Sequence, residues 1–273
     1  EPIASEIGMY AMKIHSRTPN ISLQFGDYTG YGSVIPFAGK WEYPEDIKIY
    51  GLSLATNVLG VSVGAELSHS RGVPVQIDGN DLLLSGMGAG GAIMPGVSIP
   101  FGPYGQGALA AVGGDGYLTG YTRANKTQFQ LNTAKTFGGV LGSTKSLVAG
   151  EGAFQWVNVP DYRKGGSIRY GRAFIFGTGS SPGNNTCAAG TQNNPQQDGC
   201  QNDGYVTQLS WGYRLRGQLE YPQIFDTGIN FTPSLYFAHD VQGVSADNQL
   251  NEGRMAIGLG ARFNFMQNYS LDL

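Results

Sequence analysis

Read every second residue from Tyr205 to Tyr221 and the stretch separates into two sets. Tyr205, Thr207, Leu209, Trp211, Tyr213, Leu215, Leu219 and Tyr221 are apolar or aromatic for the most part. Gln208, Ser210, Arg214, Arg216, Gln218 and Glu220 are polar or charged. Side chains on a strand point alternately to opposite faces, so the pattern predicts a β-strand with one apolar and one polar side. The alternation runs for about 17 residues, against about 5–6 for strands of ordinary globular proteins. A tilted strand crossing a bilayer needs that length, with aromatic residues where the apolar band meets water.

The same period returns along the chain. Ile229, Phe231, Pro233, Leu235 and Phe237 alternate with polar or small residues, as do Met255, Ile257, Leu259, Ala261, Phe263 and Phe265. Phe129 and Leu131, and Val61, Val63, Ala65 and Leu67, repeat it earlier. Strands are predicted near 6–16, 46–56, 60–71, 122–137, 141–157, 204–221, 228–241 and 252–265, with a last one starting at 269. Short links (56–60, 137–142, 221–228, 265–269) alternate with long stretches at 17–45, 72–121 and 158–203 and a moderate one at 242–251. A soluble β-sandwich, the alternative fold, has no reason to segregate loop length by end. Outer-membrane barrels have tight periplasmic turns and long extracellular loops. The expected fold class is therefore all-β, a transmembrane antiparallel β-barrel of outer-membrane type, with residues 1–273 in one barrel domain. Nine strands do not close the even-stranded barrel usual for bacterial chains, and "NYSLDL" starts a strand and stops. The chain is thus expected to be an incomplete fragment of about nine strands whose missing remainder closes the barrel.

Composition narrows the function classes. Net charge is −3 and 14% of residues are charged, so no basic face suggests a nucleic-acid partner. The 43 glycines, 15 tyrosines and 13 phenylalanines favour strands and turns. No apolar helical periodicity is evident. The longest uncharged run, Leu82 to Gly114, is interrupted by Pro95, Pro100, Pro103 and repeated glycines, which excludes a spanning helix. The opening "EPIASEIGMY" has no basic n-region or apolar h-region, so any signal peptide is expected to be removed or outside this chain. Cys187 and Cys200 sit in a polar loop rich in Asn, Gln and Gly, without CxxC spacing or a nearby histidine. They read as a disulfide formed in an oxidising compartment, with free surface thiols as the alternative.

Two stretches carry a family resemblance: "YPEDIKIYGLSLATNVLGVSVGAELSHSRGVPVQIDGNDLL" and "CQNDGYVTQLSWGYRLRGQLEY…NFTPSLYFAHDVQGVS…NEGR", with "EIGMYAMKIHSRTP" fitting the same pattern. They resemble the proteobacterial family of domain of unknown function 1302, in the C-terminal part of its longer sequences. The resemblance implies an outer-membrane β-barrel working beside a periplasmic lipid-carrier protein and inner-membrane transporters of lipids, sterols or other hydrophobic molecules. It implies no catalytic residues.

The candidate chemistry lies inside the barrel. Lys126, Glu151, Arg214, Arg216, Glu220, Arg254 and Arg262 are expected to face the lumen and to set its field. Clustered arginines near a constriction would favour anionic solutes. The competing reading is a pairing ladder with Glu220, Asp240 and Glu252 that merely satisfies a crowded interior. The uncharged segment 82–114 is too flexible for a strand, and long irregular loops are often functional. Folded inward, it would narrow the pore through Met87, Ile93, Met94, Ile99, Phe101 and Tyr104. Otherwise it packs on neighbouring loops or touches lipopolysaccharide. "GMGAGG" fits G-x-G-x-x-G but lacks a following helix, so no cofactor is expected. Neither "SHS" at 68–70 nor "FAHD" at 237–240 brings a hydrolase triad to one face, so neither a catalytic nor a metal site is expected.

The sequence therefore predicts a channel or transporter of the bacterial outer membrane that passes small or hydrophobic, lipid-like molecules. The rival is a non-transporting surface barrel whose loops bind a partner, an adhesin or receptor. A barrel lipase is a third reading and would need a Ser–His contact across strands.

Overall fold

A computed structural model of the chain describes residues 5–26, 37–90, 110–111, 114–165, 168–172, 203–266 and 268–273. Its main body is a nine-stranded antiparallel sheet. In spatial order the strands are β1 (Ser5–Ile14), β4 (Ile47–Val58), β5 (Val61–Gln76), β7 (Tyr121–Gly138), β8 (Lys145–Val157), β9 (Leu209–Ile224), β10 (Ile229–Gln242), β11 (Met255–Phe265) and β12 (Tyr269–Asp272). Each strand pairs with its neighbours in chain order, apart from β2 and β3 (Asn20–Phe25, Phe37–Glu42) and β6 (Tyr117–Leu118). These three form a small separate sheet in the order β3-β2-β6. All nine predicted strands are present.

Boundaries shift where turns intrude. β8 starts four residues later than the periodicity suggests, at Lys145, because Leu141 and Gly142 adopt positive φ in the preceding turn. The strand predicted from 204 begins at Leu209, because Tyr205 and Val206 turn away and are buried in the long-loop region. The turns at one end are short: Leu59 and Gly60, with φ of 53° and 73°, close β4 onto β5 in the mirror-image geometry that suits hairpin twist.

The long connections hold regular structure that the sequence reading missed. Residues Gly79–Gly90 form helix α1. Asp78 begins it: its backbone carbonyl accepts from Leu82, and its Oδ2 accepts from the amides of Asn80 and Asp81 at 3.1 and 3.0 Å. Leu82 then packs with Leu23, Phe25, Phe37, Ala111 and Leu118 into a small core between helix and three-stranded sheet. Gly86 lets the two approach, since a Cβ there would lie 2.7 Å from Leu23 and 2.8 Å from Phe37. Of the glycine-rich pattern Gly86–Gly91, the residues through Gly90 lie within α1, and Gly91 falls outside the described residues.

A second core lies at the long-loop end of the main sheet: Val75, Ile77, Ala124, Val157, Val159, Tyr170 and Val206. Gln76 stitches the seam. Its amide accepts from Ile21 N (2.8 Å) and donates to Ile21 O (3.0 Å) and Gly120 O (2.7 Å), replacing a strand's backbone pairing with a side chain.

A polar hollow crossed by an inward loop

Residues paired directly across strands share a face, so the registers sort the side chains of the large sheet. Ile7↔Leu54, Met9↔Leu52, Leu52↔Leu67, Leu67↔Phe129, Phe129↔Phe154, Phe154↔Trp211, Leu215↔Phe237, Leu235↔Leu259 and Phe237↔Ile257 run across one face. That face is apolar and open: Met9 is 83% exposed, Ile257 72% and Leu259 81%. Aromatic residues mark both of its ends. Phe154 stacks on Trp156 and Trp211 toward the long loops, and Phe231 stacks on Tyr221 and Phe263 toward the short turns.

The opposite face is polar. Ser53↔Glu66, Glu66↔Gln130, Asn132↔Glu151, Glu151↔Arg214 and Arg216↔Tyr236 run across it, with Glu6 on the same face. Residues from β1 (Ser5, Glu6) to β10 (Tyr236) line one hollow of about 920 Å³ on this side, so the sheet curls with its polar face inward. Lys126, Glu151, Arg214, Arg216, Glu220, Arg254 and Arg262 all lie on this inner face.

Their partners are specific. Asp240 accepts from Arg214 (Nη2, 2.6 Å) and from Arg254 (Nε, 2.7 Å), and also from the backbone of Asn251. Glu220 faces Lys145 at 3.7 Å, and Arg262 faces Asp272 at 2.5 Å. Glu151 accepts from Gln130 at 3.0 Å. Arg216 reaches Gln218 at 3.4 Å, and no described carboxylate lies in ion-pair range of it. Glu252 pairs with Arg163 (2.8 Å) at the long-loop end rather than with the inner arginines.

One connection crosses this face. Residues Gly243–Arg254 between β10 and β11 fold inward over β9 and β8. Asp247 accepts from Gln155 Nε2 on β8 at 2.9 Å and meets Lys126 Nζ on β7 at 3.3 Å. Gln155 Oε1 returns a bond from Ala246 N at 3.1 Å. Ser245 Oγ donates to Asp247 (2.7 Å) and accepts from Leu250 N (2.9 Å), and Arg254 bonds the carbonyl of Gln249. Gln249 and Leu250 overhang Gln128, Glu151, Ala153 and Arg214, leaving a cleft of about 150 Å³. Burial pushes the Asp247 carboxyl up, but the Ser245 hydroxyl, the Lys126 charge and the Gln155 amide outweigh it and hold it below the usual carboxylate range. No sequence signal marked this loop, because its composition is that of any polar turn.

A buried polar layer sits above, in the cap. Asp81 and Arg169 form a two-pronged ion pair, each almost fully buried. The guanidinium groups of Arg169 and Arg172 lie 4.5 and 5.0 Å from the Tyr205 ring. Asp78 is fully buried, and its Oδ1 has no partner. Burial first, then the charge of Asp81, pushes its carboxyl up to about 8. Burial likewise pushes the Tyr205 phenol up.

Of the segment 82–114, Met87 lies in α1, whereas Ile93, Met94, Ile99, Phe101 and Tyr104 fall outside the described residues. Cys187 and Cys200 do so too. Among the described residues no hydrogen bond joins a histidine to a serine hydroxyl: His69 Nδ1 lies 2.9 Å from Thr127 Oγ1, His239 lies beside Tyr213 and Phe237, and His15 accepts from Asp46 N. Among the described residues no group of three or more His, Cys, Asp or Glu is arranged to hold a metal ion, and no helix is long and apolar enough to cross a membrane.

Comparison with curated proteins and with solved structures returned no match. The profile of the family described as "Protein of unknown function (DUF1302)" matches residues 1–273, and the chain belongs to that family.

Proposed function

We propose that this chain is the larger part of an outer-membrane β-barrel that passes small or hydrophobic molecules through its interior by diffusion. The observation that carries the reading is the inverted sheet: a continuous exposed apolar face on one side, and on the other a hollow of about 920 Å³ whose lining includes Glu6, Glu151, Arg214 and Arg216. In water an apolar face this wide would be covered, whereas in lipid it is the favoured exterior. The dimensions agree. From Trp211 to Tyr221 a strand rises about 33 Å, which at a tilt near 40° spans about 25 Å, the height of the apolar band of such barrels. Aromatic residues stand at both limits of that band.

β1 and β12 each pair on one side only, and lipid tolerates no open strand edge, so in this reading further strands complete the ring. Outer-membrane lipid and lipopolysaccharide surround it, and a periplasmic lipid-carrier protein serves the short-turn end. The inner charges are largely paired with one another, which favours a passage for neutral or apolar solutes over a fixed anion-selective field.

The compact cap supports a second reading, a surface barrel whose loops bind a partner. Its apolar core and the buried Asp81–Arg169 pair make it a folded unit at the long-loop end. Planar-bilayer recording of the full-length protein, with and without residues 82–114, separates the two. Current or solute flux that grows on deletion is expected for a passage. Absence of both, in protein shown to be folded in the outer membrane, would leave the surface scaffold.

A further inference from the structure

The Gly243–Arg254 loop stands where the hollow meets the long-loop end. Glu151 and Arg214 line both the large hollow and the small cleft beneath Gln249 and Leu250, so the loop overhangs the upper boundary of the hollow. It is not a slack turn. Asp247 spans from the β10–β11 connection to Lys126 on β7, passing over β9 and β8. Gln155 clamps it by both amide atoms, Ser245 staples Asp247 to Leu250, and Asn251 ties its return to Asp240. The root is equally constrained: Gly243 has φ +75°, and a Cβ there would lie 2.0 Å from the carbonyl oxygen of Leu209.

The charges along this crossing cancel. Lys126 is matched by Asp247, and Arg214 and Arg254 by Asp240, while Glu151 is bonded to a neutral amide. What the loop presents to the cleft beneath it is Gln249 and Leu250. A constriction of that make-up discriminates by size and against net charge. Removing Asp247 would widen it and leave an unmatched cation at Lys126, turning the local field positive.

We propose that the Gly243–Arg254 loop is the selectivity constriction of the passage, and that Asp247, by pinning it to Lys126 and Gln155, is the residue that keeps the passage narrow and neutral. The inference rests on the passage reading above, and the test separates the two.

Ala153→Cys places a thiol on the inner face beneath the loop, and its reaction with a charged, water-soluble methanethiosulfonate reagent is followed in the full-length protein in lipid vesicles. The parent chain, retaining Cys187 and Cys200, supplies the blank. Added Asp247→Ala is expected to speed labelling about tenfold, because opening of the loop limits access to a half-buried thiol in the cleft beneath it. The charge swap Lys126→Asp with Asp247→Lys is expected to restore slow labelling, which a misfolded protein would not do. An unchanged rate in Asp247→Ala overturns the pinning. In planar bilayers Asp247→Ala, on the parent background, is expected to raise the anion-to-cation permeability ratio about threefold and to enlarge the conductance. Parent channels that conduct, with selectivity untouched by Asp247→Ala, overturn the inference and leave the passage standing. No current or flux from either protein overturns the passage itself, and the constriction with it, whatever the labelling shows.

Discussion

Asp81 and Arg169 meet 88 residues apart in sequence, joined by two hydrogen bonds inside a cap that excludes water. The pair joins the first turn of α1 to the segment that pairs with the end of β5 through Ile77 and Tyr170. It therefore couples the cap to the main sheet.

Breaking one partner strands the other as a buried charge. Arg169→Met is expected to destabilise the cap by about 3–5 kcal/mol, and Asp81→Leu with Arg169→Met to recover most of that loss. Hydrogen exchange should show the amides of α1 and β2 losing protection while β7 to β10 keep theirs. Equal loss in both sheets would mean that cap and sheet unfold as one unit.

Asp78 makes cap stability depend on pH in an unusual direction. Its folded carboxyl titrates near 8, well above an unfolded aspartate, so the folded cap binds the extra proton between about pH 4 and pH 8. Stability is fully present below the unfolded value and falls as pH rises through that window. Asp81, Arg169 and Arg172 act on the same group, and burial dominates them all. Asp78→Asn keeps a good helix cap without the charge, so it should flatten the profile and stabilise the cap at pH 8, with thermal melts from pH 5 to 9 as the measurement.

Gly120 is the close approach at the seam. A Cβ there would lie 1.7 Å from the carbonyl oxygen of Ile21, where Gln76 and Ser22 also converge. Gly120→Ala is expected to loosen the three-stranded sheet and raise its proteolysis rate, leaving the nine-stranded sheet resistant.

Leu259 sits in mid-strand on the apolar face. Leu259→Lys is expected to cost about 2–4 kcal/mol in the equilibrium between unfolded and lipid-inserted protein if that face meets hydrocarbon. A cost near zero, measured by denaturant titration in vesicles, would place the face in water and remove the membrane reading.

Leu59 occupies a left-handed backbone position (φ 53°) in a two-residue turn and is 91% exposed. Asn tolerates that conformation better, and Asn-Gly is the favoured pair for this turn. Leu59→Asn is expected to stabilise the β4–β5 hairpin by about 1 kcal/mol. Destabilisation instead would show that the leucine has a partner at the short-turn end.

The eight longer strands of the main sheet were legible in the chain because period-two alternation is a local property: each residue's face follows from its neighbours' positions, whatever lies across the sheet. That Arg214, Arg216 and Glu151 share the polar face of the sheet followed from the same parity. Helix α1 was not legible, since its run holds several glycines and few strong helix formers, and Asp78 is an ordinary-looking turn residue until its amide partners are seen. The small sheet of β2, β3 and β6 was hidden too: its strands are only six, six and two residues long.

Side-chain parity and loop length thus carry the all-β architecture, the polar inner face and the segregation of short and long connections, because those depend on spacing along one chain. Which charges neutralise which was settled only by the fold. Glu252 was expected inside and instead holds Arg163 at the loop end, and Asp240 serves two arginines at once, Arg214 on β9 and Arg254 at the end of the β10–β11 loop. The inward path of Gly243–Arg254 belongs to the same class. It exists because Lys126 and Gln155, some hundred residues earlier in the chain, come to lie within a hydrogen bond of Asp247, and no local pattern encodes a meeting at that distance.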